Sequence, residues 1–459
     1  MMESMSDNPA PSALDAGPTG FDRSNHDFVD FVLGDIEASP TPYHAVERSR
    51  QLLVDAGFTA IGLAETLPTE PGGYVAAEGG TLLAWIQPAT GDPAPSFVIA
   101  GAHTDSPNFR VRTNADVVNA GMAQIGLETY GGLLANSWLN RDLGVAGRIT
   151  SRGDDGAVVQ QLINIDRPIM TIPQLAIHLD RGIRDKGLNL DKQSHVNPMW
   201  TTSHDKDPDP TFAAFLGRQI DLAADQILSW DLMPYDLQAP GRIGMEDEFI
   251  ASARIDNLLS SFCAVRAMAK LAEHGAAELH SVPVAVLYDH EEIGSESATG
   301  AASNLLLATL ERIAYTQGID RAGFLTMMAG SIAVSADGAH ATHPNYVDKH
   351  DPNHQIHLNA GVVIKRNANQ RYATDAMSEA FMMDVCHQAN VPVQHYIHRN
   401  DLPCGSTIGP ITAARLGIST VDVGAPMLSM HSVRETAGTI DAIYLADALY
   451  QAWITDRCC

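Results

Sequence analysis

The chain has 459 residues, 45% hydrophobic and 6% aromatic, so it can bury a sizeable core; collagenous, disordered and disulfide-scaffold classes are excluded. At ~100–200 residues per domain, this length accommodates two to four domains, or one large domain carrying an insertion. Lys and Arg number 29 against 55 Asp and Glu, and the resulting net charge of −26 repels phosphate backbones and anionic bilayers, so neither nucleic acid nor a membrane is an expected partner.

Residues 1–25 are rich in Pro, Ser, Asp and Gly, lack apolar periodicity and show neither the basic start nor the apolar core of an export signal; they read as a disordered leader. Val29, Phe31 and Val32, then Ala45, Val46, Leu52 and Leu53, recur at helical spacing around a Ser39-Pro40 break, which predicts two amphipathic helices. From Thr81 the period changes. TLLAWIQP and SFVIAGA are short apolar runs bounded by Gly and Pro, the pattern of buried strands, and SVPVAVLY, SIAVSA, AGVVIKR, VPVQHYIH and ISTVDVGA repeat it downstream. Helical faces lie between them in DNLLSSFCAVRAMAKLAEH, TDAMSEAFMMDVCHQAN and GTIDAIYLADALYQAWI. The alternation predicts an α/β fold, a mixed or parallel sheet with helices on both faces, formed by residues 26–106 and 246–459.

Residues 107–245 break the pattern. VRTNADVVNAG, GGLLANSWLNRD and GVAGRITSRGDDGAVVQQLI suggest antiparallel strands, hence an inserted β-rich domain, within which NLDKQSHVNPMWTTSHDKDPDP reads as a polar surface loop. The five cysteines, 263, 386, 404, 458 and 459, are odd in number and mostly sit in apolar segments, as suits reduced thiols in the cytoplasm; Cys458-Cys459 reads as a frayed tail rather than a lipid site or metal clip.

The chemistry-bearing residues follow strands or open helices: His103-Thr104-Asp105, Arg254-Ile255-Asp256-Asn257, His290-Glu291-Glu292, Ser335-Ala336-Asp337 and Met430-His431-Ser432. Each alone could be a helix cap, a solvated turn or a satisfied core histidine. Open α/β sheets bind ligands beyond the carboxyl ends of their strands, so one crevice can hold all five. Two histidines, two aspartates and a glutamate are donors that Zn²⁺ or Mn²⁺ accepts, and no thiolate set suggests a closed structural zinc. A two-metal catalytic site is the expected use, with Asp256 as candidate bridge.

GAHTDSP, ARIDNL, DHEEIGS, VSADGAHATHPNY, RNDLPCGSTIGP and LSMHSVRE closely resemble, in order and separation, the motif series of the aspartyl aminopeptidases, zinc exopeptidases that remove acidic amino-terminal residues. The likeness runs from about residue 26 to the carboxyl terminus. It implies two Zn²⁺ per subunit, with Mn²⁺ or Co²⁺ as alternatives: His103 and Asp337 on one metal, Glu292 and His431 on the other, Asp256 bridging. Glu291 becomes the general base, and Asp105 holds the second nitrogen of His103. The resemblance further implies that the insert dimerises, that dimers build a homododecamer, that His178 approaches a neighbouring subunit's site, and that Lys365, with His340 as neutral or protonated helper, reads the substrate's acidic side chain. Two rival readings remain: a related dinuclear carboxypeptidase or amidohydrolase, and a non-catalytic assembly or cargo protein.

Overall fold

A computed structural model describes residues 20–24, 26–89, 96–153, 155–202, 211–273 and 279–456. Most of the expected leader and the Cys458-Cys459 tail lie outside the described residues. Where the leader is described it is anchored: Arg23 is buried, its guanidinium donating to Asp447 Oδ2 at 2.6 Å and to the Ala389 and Asn390 carbonyls at 2.9 Å. Order therefore begins before residue 25, a contact invisible to composition. No helix among the described residues is long and apolar enough to cross a membrane.

The two opening helices are Asp27–Glu37 and Pro42–Asp55. Thr41 caps the second with its hydroxyl, and Pro42 occupies the first turn, where its missing N–H costs nothing. The main sheet has nine strands, ordered Thr59–Ala60, Gly72–Glu78, Thr81–Gln87, Val282–Tyr288, Phe97–His103, Ile332–Ala336, Ser419–Gly424, Val362–Arg366 and Val393–Ile397. Its central four run parallel and are buried along almost their whole length, which is why they read as unbroken apolar runs. Gly72–Glu78 escaped the sequence reading because GGYVAAE looks like a turn. Helices cover both faces. Ile255–Ala272 and Thr439–Ile454 bury Phe262, Leu449 and Trp453 on one side, and Leu305–Thr316 and Arg321–Ala329 bury Leu310, Ile313 and Phe324 on the other. Each such side chain contributes ~1.5–3 kcal/mol of burial.

Two three-stranded antiparallel sheets share a separate core around Phe109, Leu143, Ile149, Phe212 and Leu216. One pairs Leu143–Arg152 with Ile227–Asp236 and Val158–Met170, the other Met122–Tyr130 with Asn108–Asn119 and Met199–Thr202. Three local readings are corrected. GGLLANSWLNRD forms a short 3-10 helix, Ala135–Trp138, whose Trp138 packs edge-on against Phe109. The polar stretch contributes the strand Met199–Thr202, whose Trp200 packs edge-on against Phe212 and Phe215; its residues 203–210 lie outside the described ones. Gly241–Ile243 pairs with Phe249–Ser252 in a five-stranded sheet that also holds Glu435–Gly438, Pro426–Leu428 and Ala339–His340, so strands outside the insert's two sheets begin before residue 245.

Candidate metal centre

Val282–Tyr288, Phe97–His103 and Ile332–Ala336 are parallel neighbours that end at one edge of the sheet. His103 closes its strand, Asp337 directly follows another, and Glu291 and Glu292 occupy the short turn Glu291–Ile293 after the third. Asp337 is brought close to the strand Ser419–Gly424, where a Cβ on Gly424 would collide with its carbonyl, so only glycine fits. Asp256 precedes the regular part of the helix Ile255–Ala272 in non-helical backbone. His431 comes from the loop between Pro426–Leu428 and Glu435–Gly438.

The structure brings the five proposed ligands together. His103 Nε2 lies 3.5 Å from Asp256 Oδ1 and 3.4 Å from Asp337 Oδ1, while His431 Nε2 lies 3.3 Å from Asp256 Oδ2 and 3.4 Å from Glu292 Oε2. Asp256 thus turns one oxygen to each histidine. Donor atoms of His103, Asp256 and Glu292 fall within 4.8 Å of one another. Glu291 Oε2 is 3.9 Å from His103 Nε2, and its side chain is 14% exposed against 4% for Glu292, so Glu291 is the glutamate more open to the cavity. That cavity, about 400 Å³, is lined by all six.

Asp256 Oδ1 and Glu292 Oε1 are buried oxygens with no hydrogen-bond partner. Left so, each would cost ~1–3 kcal/mol, and a cation is the natural group to satisfy both. The nitrogen and oxygen donors therefore fit zinc. Burial pushes the Glu291 carboxyl up to about 8, with His103 opposing and the carboxylates of Asp337, Asp105 and Asp256 reinforcing. For Asp256 burial acts upward, but the adjacent His103 and His431 imidazoles win and hold it well below the usual carboxylate range. Burial acts downward on the imidazole of His103, yet its contacts with Asp105, Asp256 and Asp337 raise it well above the ordinary value.

Two buried carboxylates fix the backbone around these donors. Asp105 Oδ1 accepts the Glu291 N–H and Oδ2 the Glu292 N–H, both at 3.1 Å. His103 Nδ1 meets the Asp105 carbonyl at 2.9 Å, with the carboxylate at 3.4 Å, so the expected grip on the imidazole comes mainly from the Asp105 main chain. Glu435, 1% exposed, accepts the Asp256 N–H at 2.9 Å and the His431 N–H at 2.7 Å.

Lys365 and His340 line the same cavity. Lys365 is 1% exposed, donates to the Asp337 and Gly338 carbonyls at 3.1 and 3.2 Å and lies 3.6 Å from Asp337 Oδ2; the adjacent Arg366 points outward to Glu379. His340 is exposed at the end of the strand Ala339–His340; the protein around it, then the Lys365 ammonium, lower the pKa of its imidazole. His178 is not brought to this site: it sits on an exposed turn, among exposed Leu175, Ile177 and Leu179, and does not line the cavity. Neither is it a strand histidine. Sequence reasoning missed Glu435, Tyr130 and Arg371. Glu435 lies inside LSMHSVRE, four residues after His431, and that proximity was its only signal; Tyr130 and Arg371 carried none.

An acid-rich, imidazole-containing donor set at the strand ends of a mixed α/β sheet defines a metal-dependent hydrolase. Residues 36–453 match the family of aminopeptidase I zinc metalloproteases (M18). The chain belongs to that family: it is an M18 aminopeptidase, a zinc metalloprotease. A probable M18 family aminopeptidase 2 of Streptomyces avermitilis is 44% identical over 434 residues, covering 95% of this chain and 98% of the relative. Its Mycobacterium tuberculosis counterpart is 43% identical over 426 residues, covering 92% and 96%. Among solved structures, Ape4 in the cryo-EM complex with Nbr1 superposes with a TM-score of 0.89 at 36% identity, covering 93% of this chain and 85% of that one; crystalline prApe1 gives 0.87 at 26%, covering 93% and 94%.

Proposed function

We propose that this aminopeptidase removes amino-terminal Asp or Glu from peptides at a dinuclear zinc centre. The observation that carries the dinuclear reading is the division of the two Asp256 oxygens between His103 and His431. His103 and Asp337 would hold one ion, and Glu292 and His431 the other; the chemistry supplied there would be polarisation of the scissile carbonyl and acidification of water. Glu291 takes the water proton on its cavity-facing carboxylate and returns it to the departing amine nitrogen. The surrounding carboxylates attract the substrate's α-ammonium, which favours cleavage at the first peptide bond. An acidic side chain entering so negative a protein needs a local cation, and Lys365 and Arg371 on the cavity wall support that preference.

The assembly reading, dimers building a homododecamer with His178 near a neighbour's site, is supported by the edge strand Val158–Met170, which exposes Val158 and Val159, and by exposed Leu175, Ile177 and Leu179. Cys263 and Cys386, buried free thiols, favour a cytoplasmic location. The decisive experiment is a panel of chromogenic aminoacyl substrates assayed with metal-depleted protein and with zinc, manganese or cobalt restored. Activity on Asp and Glu that returns with two ions per chain supports the reading. Cleavage of amine-blocked peptides instead indicates a carboxypeptidase or amidohydrolase, and two bound ions without turnover indicate an assembly protein.

A further inference from the structure

The strand Met122–Tyr130 belongs to the inserted segment, yet its last residue reaches the centre: the buried Tyr130 hydroxyl donates to Asp105 Oδ2 at 2.7 Å. That same oxygen accepts the Glu292 N–H, and its partner oxygen the Glu291 N–H. The Arg110 guanidinium stacks 4.0 Å over the Tyr130 ring, with Nε and Nη2 buried and without hydrogen-bond partners, and its charge also acts on Asp289. Beyond Tyr130 the chain turns through Gly131, at φ +69°, where a Cβ would press to 3.1 Å from Glu292 Cβ. Gly132 then offers its carbonyl to His431 Nδ1 at 3.2 Å, and the Leu134 N–H donates to the His431 carbonyl at 3.0 Å. One short stretch of the insert touches both halves of the donor set.

We propose that Tyr130 is a positioning residue which, through Asp105, sets the Glu291-Glu292 backbone for metal binding and proton transfer, making the inserted segment a working part of the catalytic centre. The alternative, that Tyr130 merely fills space, predicts that phenylalanine serves equally. The inference rests on the metal-centre reading, and the test separates the two.

Zinc affinity is measured by competition with a chromophoric chelator, alongside steady-state kinetics at saturating zinc, for Tyr130→Phe, Asp105→Asn and the double variant. Tyr130→Phe is expected to weaken zinc binding and lower kcat by about 10–100-fold each while KM stays within twofold, and the double variant to lose little more than the worse single one. Affinity and kcat within twofold of wild type, with or without a lower Tm, or fully additive losses, overturn the proposal. Should Tyr130→Phe not fold, Arg110→Met keeps the hydroxyl but removes the stacked cation; a loss in affinity of about 3–10-fold supports the proposal and none overturns it. Wild-type protein that binds no zinc sinks the metal-centre reading itself; tight zinc indifferent to position 130 sinks only the role of Tyr130.

Discussion

The Asp256 N–H donates to Glu435 Oε2 at 2.9 Å, and the other oxygen of Glu435 accepts the His431 N–H at 2.7 Å, so one carboxylate holds the backbone of two proposed ligands. Burial pushes the Glu435 carboxyl well above its ordinary range, with the nearby Asp256 charge adding and these N–H groups opposing. Glu435→Gln must turn its NH₂ toward one of the two N–H donors. We expect zinc affinity to fall by about 10–100-fold, read by chelator competition. An unchanged affinity would show that Glu435 only fills its site.

Glu291→Gln should keep fold and metals, because Glu292 is the proposed ligand, yet lose ~10²–10⁴ in kcat as the proton acceptor disappears. Elemental analysis and steady-state kinetics check both halves. Metal lost in this variant, or near wild-type turnover, would mean that the two glutamates have exchanged roles.

Asp256→Asn removes the charge placed between the two histidines. At least one ion per chain should be lost, with activity, while circular dichroism stays close to wild type. Two tightly held ions in the variant would reduce Asp256 to a structural group.

Lys365→Met should lower kcat/KM for Asp and Glu substrates by ~1–3 kcal/mol while sparing Ala or Leu substrates, the loss of a charge-assisted contact. The Lys365 ammonium also touches Asp337, so an equal fall for neutral substrates would identify it as support for the metal centre. In that outcome Arg371→Met, on the same wall, is the variant expected to lose acidic selectivity alone.

Arg23→Met strips the buried Asp447 of its guanidinium partner and the Ala389 and Asn390 carbonyls of their donors. Removing one partner of a buried ion pair costs ~3–5 kcal/mol, to be read from denaturant unfolding. A loss below ~1 kcal/mol would show that residues before the first helix add little to stability.

The central strands and the helices Ile255–Ala272 and Thr439–Ile454 were legible because burial imposes a local period on the chain, two residues on a half-buried strand, near four on a helix and none on a strand covered twice. His103, Asp337 and Glu292 were legible as candidates for a related reason: they stand at or just beyond the ends of parallel neighbouring strands. Gly72–Glu78 and Met199–Thr202 were not, since GGYVAAE and MWTT become strands through the partners beside them, Thr81–Gln87 and Met122–Tyr130.

The sequence by itself determined the α/β class and made the β-rich interruption and the proposed metal donors legible as candidates, because side-chain chemistry and hydrophobic period are properties of neighbouring residues. Only the tertiary structure decided that Tyr130 meets Asp105, that Glu435 grips Asp256 and His431, that Lys365 turns to Asp337 and that Arg23 is clamped by Asp447. Most of these bonds join residues far apart in the chain, through single polar atoms whose meeting depends on how whole elements pack. A buried carboxylate and a solvated one are the same letter until the fold removes the water from one of them.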